Sequence, residues 1–282
     1  MATTVALGVR ATLRRMAPEP IKSIYRRLRE GVQSAMRPTQ MTCRVRSHAV
    51  VLGVSSPSEE MRARTYETKE PETLDWIDEN LRVGDVLFDI GANIGLYSLY
   101  AARACAGAIV YAFEPESQNF ARLCRNVVLN QVSNLLPCNF PLADCSKFDV
   151  FHVHTLEAGD SLHSFGKASE FRAAGERAAL RQGALSTSLD ALVHQHGVPQ
   201  PALIKLDVDG IEGPILSGAS QILAAPSFRS LLVEWNFRDE REIADVECTL
   251  RNSGLRLAKS GARTAELYGL KSRNLIFTRI SP

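Results

Sequence analysis

Residues 86–98 read VLFDIGANIGLYS, and this segment carries the strongest structural signal in the chain. Its first five residues form a short apolar run, which is typical of a strand covered on both faces. Gly91 and Gly95 then make a turn, and a helical pattern follows near 94–104. A strand that turns into a helix through glycines predicts one unit of an open α/β sheet, where ligands bind at the carboxyl ends of strands.

The same turn limits the class of ligand. The glycines are spaced G-x-x-x-G, unlike the G-x-G-x-x-G of dinucleotide-binding turns, and no Lys-Ser/Thr ending marks a phosphate-cradling loop. Asp89 at the strand tip repels phosphate but suits an amino group or a sulfonium. We interpret Gly91 and Gly95 as positions where the backbone passes close to a ligand. The alternative is a turn that only packs tightly.

The strand–turn–helix pattern repeats along the chain. Further strands are expected at 109–113, 135–140, 202–208, 230–235, 255–259 and 274–280, and helices near 117–131, 212–225 and 238–253. Strands that alternate with helices imply parallel βαβ units. The sequence therefore predicts an α/β protein with a doubly wound, mostly parallel, Rossmann-like sheet.

Two other regions extend this sheet domain. We expect residues 1–60 to form a basic N-terminal extension with a β-hairpin at 41–54, and residues 61–282 to form the main domain, opened by a helix at 71–81. An extra strand is expected at 147–154. Residues 155–186 are polar, with a helix expected near 167–181, and form a candidate substrate lid.

The charge distribution bears on partners. Residues 1–40 hold eight Lys/Arg against Glu19 and Glu30, whereas the whole chain has a net charge of +2. That small excess argues against a nucleic-acid partner. Residues 8–36 read as a basic helix, which is either solvated or in peripheral contact with an anionic membrane. A transit peptide would share its composition.

Other features concern the compartment. The six cysteines form no C-x-x-C pair, so we expect reduced thiols. No run of 18 apolar residues would span a bilayer, and no secretory signal is evident. We therefore expect a cytoplasmic protein, peripheral at a membrane if the basic segment binds one.

Candidate ligand-binding residues follow the second and third strands. Glu114 ends the second strand, where an acidic side chain can accept two hydrogen bonds from a ribose diol. Asp144 follows the third strand and could accept a hydrogen bond from an exocyclic amine of a base. The alternatives are a helix-dipole role for Glu114 and a plain turn for Asp144.

A second group of acids surrounds the fourth and fifth strands. Asp207, Asp209 and Glu212 converge there, and Glu234 ends the next strand. These carboxylates could anchor a ligand, act as a general base or hold a divalent cation, so a metal site stays open. His163, in the polar insertion, is an alternative base.

The chain resembles the FkbM family of methyltransferases that use S-adenosylmethionine (SAM). The resemblance lies in VGDVLFDIGANIGLYSLYAA (83–102), VYAFEPESQNFARLCRNVVLN (110–130), STSLDAL (186–192), IKLDVDGIEGPILSGASQIL (204–223) and LLVEWN (231–236). It implies the class I methyltransferase fold and methylation of a hydroxyl on a sugar, glycolipid or natural product.

The resemblance also assigns site residues. It implies SAM contacts at Asp89, Gly91, Asn93, Gly95, Glu114 and Asp144, and an active-site side at Asp207, Asp209, Glu212 and Glu234. The family commonly has Glu where this chain has Asp209, so the role of that shorter acid is open. We expect Asp207 to orient or deprotonate the acceptor hydroxyl, with His163 as the alternative.

Three other functions stay open at this point. One is a nucleic-acid or protein methyltransferase on the same fold, although the fourth strand ends in Asp207-Val-Asp-Gly210 rather than in the N/D-P-P-Y tetrapeptide of amino-methylating DNA enzymes. Another is a SAM-binding protein without catalysis. The third is an NAD-dependent oxidoreductase, which the glycine spacing disfavours.

Overall fold

A computed structural model describes residues 39–166, 178–237, 239–261, 265–267 and 270–280. The strands are β1 (Gln40–Val45), β2 (His48–Gly53), β3 (Val86–Ile90), β4 (Ile109–Phe113), β5 (Leu135–Cys138), β6 (Lys147–Val153), β7 (Ser164–Phe165), β8 (Leu180–Ser186), β9 (Leu203–Leu206), β10 (Ser230–Phe237), β11 (Leu255–Ser260), β12 (Ala265–Leu267) and β13 (Leu270–Arg279). The helices are α1 (Pro57–Thr65), α2 (Pro71–Asn80), α3 (Leu96–Ala104), α4 (Ser117–Asn130), α5 (Leu189–His194), α6 (Glu212–Ser217), α7 (Ser220–Ala224) and α8 (Glu240–Asn252).

The central sheet has the strand order β11-β13-β10-β9-β3-β4-β5, and β12 pairs with the far end of β13. Strands β10, β9, β3, β4 and β5 are parallel, whereas β13 is antiparallel to both of its long neighbours. This arrangement confirms the predicted doubly wound, mostly parallel α/β fold. The chain order reverses between β3 and β9, which is where open sheets of this kind bind ligands.

Both faces of the sheet are covered, as the apolar strands require. Leu87 packs into one apolar cluster with α2, α3 and α4, while Phe88, the next residue, packs into a second cluster with α5 to α8. Successive side chains of a strand point to opposite faces, so a strand buried on both sides must be apolar throughout. All five residues of β3 are buried.

The hairpin β1–β2 packs directly on the sheet domain. Val50 and Leu52 belong to the same apolar cluster as α3 and α4. Asn126 Oδ1 accepts from Gly53 N at 2.8 Å, and Asn130 bonds both the N–H and the carbonyl of Val51. The described part of the N-terminal extension thus shares the main core, and a domain boundary near residue 60 stays a prediction.

Several elements differ from the sequence prediction. Helix α1 was not predicted, although Ser56 and Glu59 form a capping box at its start. The expected helix 212–225 is two short helices, broken where Gly218 packs against the carbonyl oxygen of Ala143. The extra strand β6 leaves the main sheet and forms an antiparallel sheet with β7 and β8.

Two predicted helices fall wholly or partly outside the described residues. The basic helix at 8–36 lies outside them, as does most of the helix near 167–181. Leu180 and Arg181 were wrongly included in that helix, because they begin β8 and pair with β6. No helix within the described ranges is long and apolar enough to cross a membrane.

Candidate active site

A cavity lies at the carboxyl ends of β3, β4, β9 and β10, at the point where the strand order reverses. Acids from three strands reach its wall, and apolar side chains flank them. Its lining includes Gly91, Asn93, Phe113, Glu114, Phe140, Leu142, Lys205, Asp207, Asp209 and Glu234. The parallel topology thus brings together residues that lie more than 100 positions apart in the sequence.

Glu114 sits at the base of this cavity and is almost fully buried. Its Oε2 accepts the N–H of Asn93, and its Oε1 accepts the N–H of Glu116, each at 2.8 Å. Burial raises the pKa of Glu114 to about 8, against the effect of these two hydrogen bonds. Each carboxylate oxygen has a second lone pair for a ligand hydroxyl, so the side chain suits a diol.

The glycine-rich turn connects this acid to the sheet. Asn93 has a positive φ of 51° and lines the cavity. Gly91 also lines the cavity, whereas Gly95 caps α3 and faces Leu123 instead. The sequence predicted that both glycines lie close to a ligand, and of the two only Gly91 lines the cavity.

Asp89 is buried behind the cavity wall rather than in it. Its Oδ2 accepts a hydrogen bond from Ser98 Oγ at 2.5 Å, and its Oδ1 lies 3.6 Å from Lys205 Nζ. Register explains the second contact, since Asp89 of β3 is paired with Lys205 of β9. The carboxylate therefore reaches the cavity only through Lys205, which does line it.

Asp207, Lys205 and Glu234 form a charged group on the cavity wall. Lys205 Nζ donates to Asp207 Oδ2 at 3.0 Å. Although burial opposes ionisation, this ammonium and a hydrogen bond from Glu234 hold the pKa of Asp207 well below its usual range. Burial and the neighbouring Asp207 charge raise the pKa of Glu234 well above its usual value. The two pKa values are therefore shifted in opposite directions, which makes Asp207 the stronger acid of the pair.

Asp209 and Glu212 follow Asp207 but differ in placement. Burial and the charge of Asp207 raise the pKa of Asp209 to about 7, and its Oδ2 accepts the N–H of Leu162 at 2.6 Å. Glu212 does not line the cavity; its Oε1 accepts from Gly210 N and Asn236 Nδ2. Burial raises the pKa of Glu212 to about 8 as well.

His163 lines the cavity with a defined tautomer. Its Nδ1 accepts the N–H of His154 at 3.0 Å, so the neutral ring carries its hydrogen on Nε2. In this arrangement the neutral ring can donate to a ligand through Nε2–H, while Nδ1, its acceptor, is occupied by the N–H of His154. The geometry therefore favours an orienting role over the base role considered from the sequence.

Asp144 lies away from the cavity. It is half exposed and pairs with Lys147 Nζ at 3.2 Å. The cavity wall on that side consists of Phe140, Pro141 and Leu142 instead. This part of the wall therefore offers apolar surface, and a hydrogen bond from a base to Asp144 stays a prediction.

The FkbM methyltransferase domain pattern matches residues 89–257, which span all of these acids. The chain belongs to the FkbM methyltransferase family. This membership makes the protein a SAM-dependent methyltransferase, as the sequence resemblance implied.

Two curated relatives extend this comparison. The 31-O-demethyl-FK506 methyltransferase FkbM of Streptomyces tacrolimicus is 28% identical over 62% of this chain and 74% of its own. The hexuronic acid methyltransferase AglP of Haloferax volcanii is 29% identical over 67% of this chain and 72% of its own. A solved FkbM methyltransferase from Methylobacillus flagellatus KT is 13% identical, covers 78% of this chain and 53% of that one, and has a TM-score of 0.46.

The cavity fits the cofactor of an FkbM methyltransferase. SAM supplies an electrophilic methyl group on a cationic sulfonium, attached to a ribose and an adenine. Glu114 offers acceptors for the ribose diol, Phe140 and Leu142 offer apolar surface, and ionised Asp207 offers negative charge near a sulfonium. Within the described ranges, no group of three or more His, Cys, Asp or Glu side chains is placed to hold a metal ion.

Sequence reasoning missed the contacts that hold one wall of this FkbM cavity. We call residues 158–163, between β6 and β7, the strap. Arg62 Nε donates to the carbonyl of Gly159 at 2.5 Å, and Asn119 bonds both Gly159 N and the carbonyl of Asp160. Asn93 Nδ2 donates to that same carbonyl at 2.7 Å. These partners are far apart in sequence, so no local pattern signals them.

Proposed function

We propose that this protein transfers the methyl group of SAM to a hydroxyl of a sugar, glycolipid or related natural product. The observation that carries the proposal is the placement of Asp207 on the cavity wall, where its Oδ2 accepts a hydrogen bond from Lys205 Nζ at 3.0 Å and Glu234 lies beside it. A hydroxyl is a poor nucleophile, and an ionised carboxylate can accept its hydrogen bond and align its oxygen. The name of one curated relative, a 31-O-demethyl-FK506 methyltransferase, supports an oxygen acceptor, and the name of the other, a hexuronic acid methyltransferase, supports a sugar.

In this proposal Asp207 and Asp209 have different roles toward the proton of the acceptor hydroxyl. The lowered pKa of Asp207 makes it a weak base, so it orients the acceptor hydroxyl and favours positive charge nearby. Asp209, whose pKa is raised to about 7, is better matched to take the proton near neutral pH. The sequence suggested Asp207 as the base, and we now assign that role to Asp209. His163 then donates a hydrogen bond to the ligand through Nε2.

The cofactor is assigned to the other half of the cavity. We place the ribose on Glu114, with Gly91 and Asn93 on the turn above it, and the adenine against Phe140 and Leu142. Asp89 acts through Lys205 rather than by contact. Gly95, Asp144 and Glu212 support neighbouring elements and do not touch the ligand in this proposal.

Two further assignments rest on the sequence alone. We retain residues 155–186 as a candidate lid over the acceptor, since the strap already forms part of the cavity wall. We also retain a peripheral contact of the basic segment 8–36 with an anionic membrane. Vesicle sedimentation of the full chain, with and without anionic lipid, tests the membrane contact.

The test of the proposed function is methyl transfer. Purified protein is incubated with SAM carrying a labelled methyl group and with glycan or lipid extracts, and the products are analysed by mass spectrometry. We expect label on an oxygen of a glycan or natural product, reduced strongly by Asp207→Asn and unchanged by Asp245→Asn, an exposed acid on α8. Label found on nitrogen, or in nucleic acid, would contradict it.

A further inference from the structure

Arg62 is a cation that the assignments above leave without a ligand. It lies on α1, its side chain is half buried, and it forms part of the cavity wall. Its Nε donates to the carbonyl of Gly159 in the strap at 2.5 Å, which fixes the plane of the guanidinium. The Nη groups carry the remaining donors of the side chain.

No carboxylate among the described residues forms an ion pair with Arg62 at 4.0 Å or less. Arg64, two residues further along the same helix, does form one, since its Nη2 lies 2.8 Å from Glu60 Oε1. The other two cations that line the cavity are also paired: Lys69 with Glu70 Oε1 at 2.6 Å, and Lys205 with Asp207 Oδ2 at 3.0 Å. Among the described residues that line the cavity, Arg62 is therefore the cation that forms no ion pair with a carboxylate of the protein.

The surrounding charges make this placement informative. Glu114, Asp207, Asp209 and Glu234 all line the same cavity. Of these, Asp207 has the lowered pKa, and its charge favours the sulfonium and amino group of a cofactor but repels a carboxylate that enters with them. A ligand carboxylate needs a local cation, and the planar fork of an arginine matches it with two parallel hydrogen bonds.

We propose that Arg62 binds a carboxylate group of a ligand in this cavity. Two ligands carry that group: the amino-acid portion of SAM, and an acidic sugar acceptor. The second source rests on the proposed function, whereas the first does not. The hydrogen bond from Nε to Gly159 holds the guanidinium in place, and its Nη groups would then bind the ligand carboxylate.

The cofactor arm uses two nucleosides that differ in the amino-acid portion. S-adenosylhomocysteine carries the carboxylate, and 5′-methylthioadenosine lacks it while keeping the adenosine and the sulfur. Kd values are measured by calorimetry for the wild type, Arg62→Gln and Arg64→Gln. If Arg62 holds the cofactor carboxylate, Arg62→Gln weakens S-adenosylhomocysteine binding about tenfold or more and leaves methylthioadenosine binding unchanged. Arg64→Gln, the matched control, changes neither.

The acceptor arm uses D-glucuronate and D-glucose as probes, with S-adenosylhomocysteine saturating. If the carboxylate belongs to the acceptor, Arg62→Gln weakens binding of glucuronate alone and leaves both nucleosides unchanged. If Arg62→Gln weakened the binding of both nucleosides equally, the role of Arg62 would be only to hold Gly159 of the strap. That result would overturn the proposal. Unchanged binding of every probe would overturn it too. Either result leaves the proposed methyl transfer standing, since labelled product tests that separately.

Discussion

A Cβ atom on Gly91 would lie 1.8 Å from the backbone oxygen of Asp207. The turn after β3 and the turn after β9 are thus in direct contact, and Asp207 N also donates to Ile90 O at 3.0 Å. Gly91 has φ of +80°, which L side chains rarely adopt. The glycine is required here because two chain segments meet, and this contact places Asp207 beside the glycine-rich turn.

The first prediction concerns this contact. Gly91→Ala should lower the free energy of unfolding by about 3 kcal/mol or more, since it combines a left-handed backbone with a clash against main-chain atoms. Gly84 has φ of +86° but open space around it, so Gly84→Ala should cost only about 1–2 kcal/mol. Urea unfolding of both variants measures the difference. Equal losses would mean that the clash is relieved by movement of the Asp207 turn.

The second prediction is a pH dependence of stability. Glu114 and Glu212 have pKa values raised to about 8, and Asp209 has one raised to about 7, in each case first by burial. The folded protein then binds more protons than the unfolded chain between about pH 5 and 8, so stability falls as pH rises through that window. Asp207, whose pKa is lowered, affects stability only below this window, because the stability that its carboxylate contributes is lost as the pH falls towards that pKa.

Chemical unfolding of the cofactor-free protein at pH 5.5 and pH 8 checks the sign. We expect a lower free energy of unfolding at pH 8. Glu212→Gln removes one of the three groups, so its stability should depend less steeply on pH than that of the wild type. Glu212 does not line the cavity, which keeps this test separate from ligand binding. A stability that rises from pH 5.5 to pH 8 would contradict the account.

The third prediction separates catalysis from cofactor binding. Asp207→Asn should lower kcat about a hundredfold, because the acceptor hydroxyl loses its charged hydrogen-bond partner. The Kd for S-adenosylhomocysteine should change little, since Glu114 and Asn93 hold the adenosine in our assignment. Steady-state kinetics and calorimetry on the same preparation give both values. An unchanged kcat with an identified acceptor would remove Asp207 from the mechanism.

The fourth prediction concerns the strap. Asn119 bonds Gly159 N and the carbonyl of Asp160, so Asn119→Ala should weaken SAM binding and speed hydrogen exchange in residues 158–163. Asn134 is a matched control, because its Nδ2 bonds the carbonyls of Ala102 and Ala108 in another part of the fold. Asn134→Ala should lower stability without changing SAM binding or exchange in the strap. If both variants weakened SAM binding to a similar degree, Asn119 would act only through the overall stability of the fold, and this prediction would be wrong.

Local signals were enough to predict the sheet. Short apolar runs, glycine turns and amphipathic helices repeat with a βαβ period, and the parallel connection then forces Glu114 and Asp207 to one edge. The capping box of α1, formed by Ser56 and Glu59, is also a local signal that the sequence contains.

Contacts between strands were not predictable in this way. Asp89 and Lys205 are cross-strand neighbours, so the acid is paired inside the wall, and a single sequence carries no register between β3 and β9. Asp144 pairs with Lys147, three residues further along the chain, and its predicted contact with a ligand stays a prediction. The contacts of Arg62 and Asn119 with the strap join residues 40 to 97 positions apart, beyond the reach of any periodic pattern.

A crystal structure of the complex with S-adenosylhomocysteine at pH 8.5 tests the central claim most directly. We predict that both ribose hydroxyls lie about 2.7–3.0 Å from the carboxylate oxygens of Glu114, with the sulfur facing Asp207. Adenosine bound elsewhere, or a ribose that does not contact Glu114, would contradict the account.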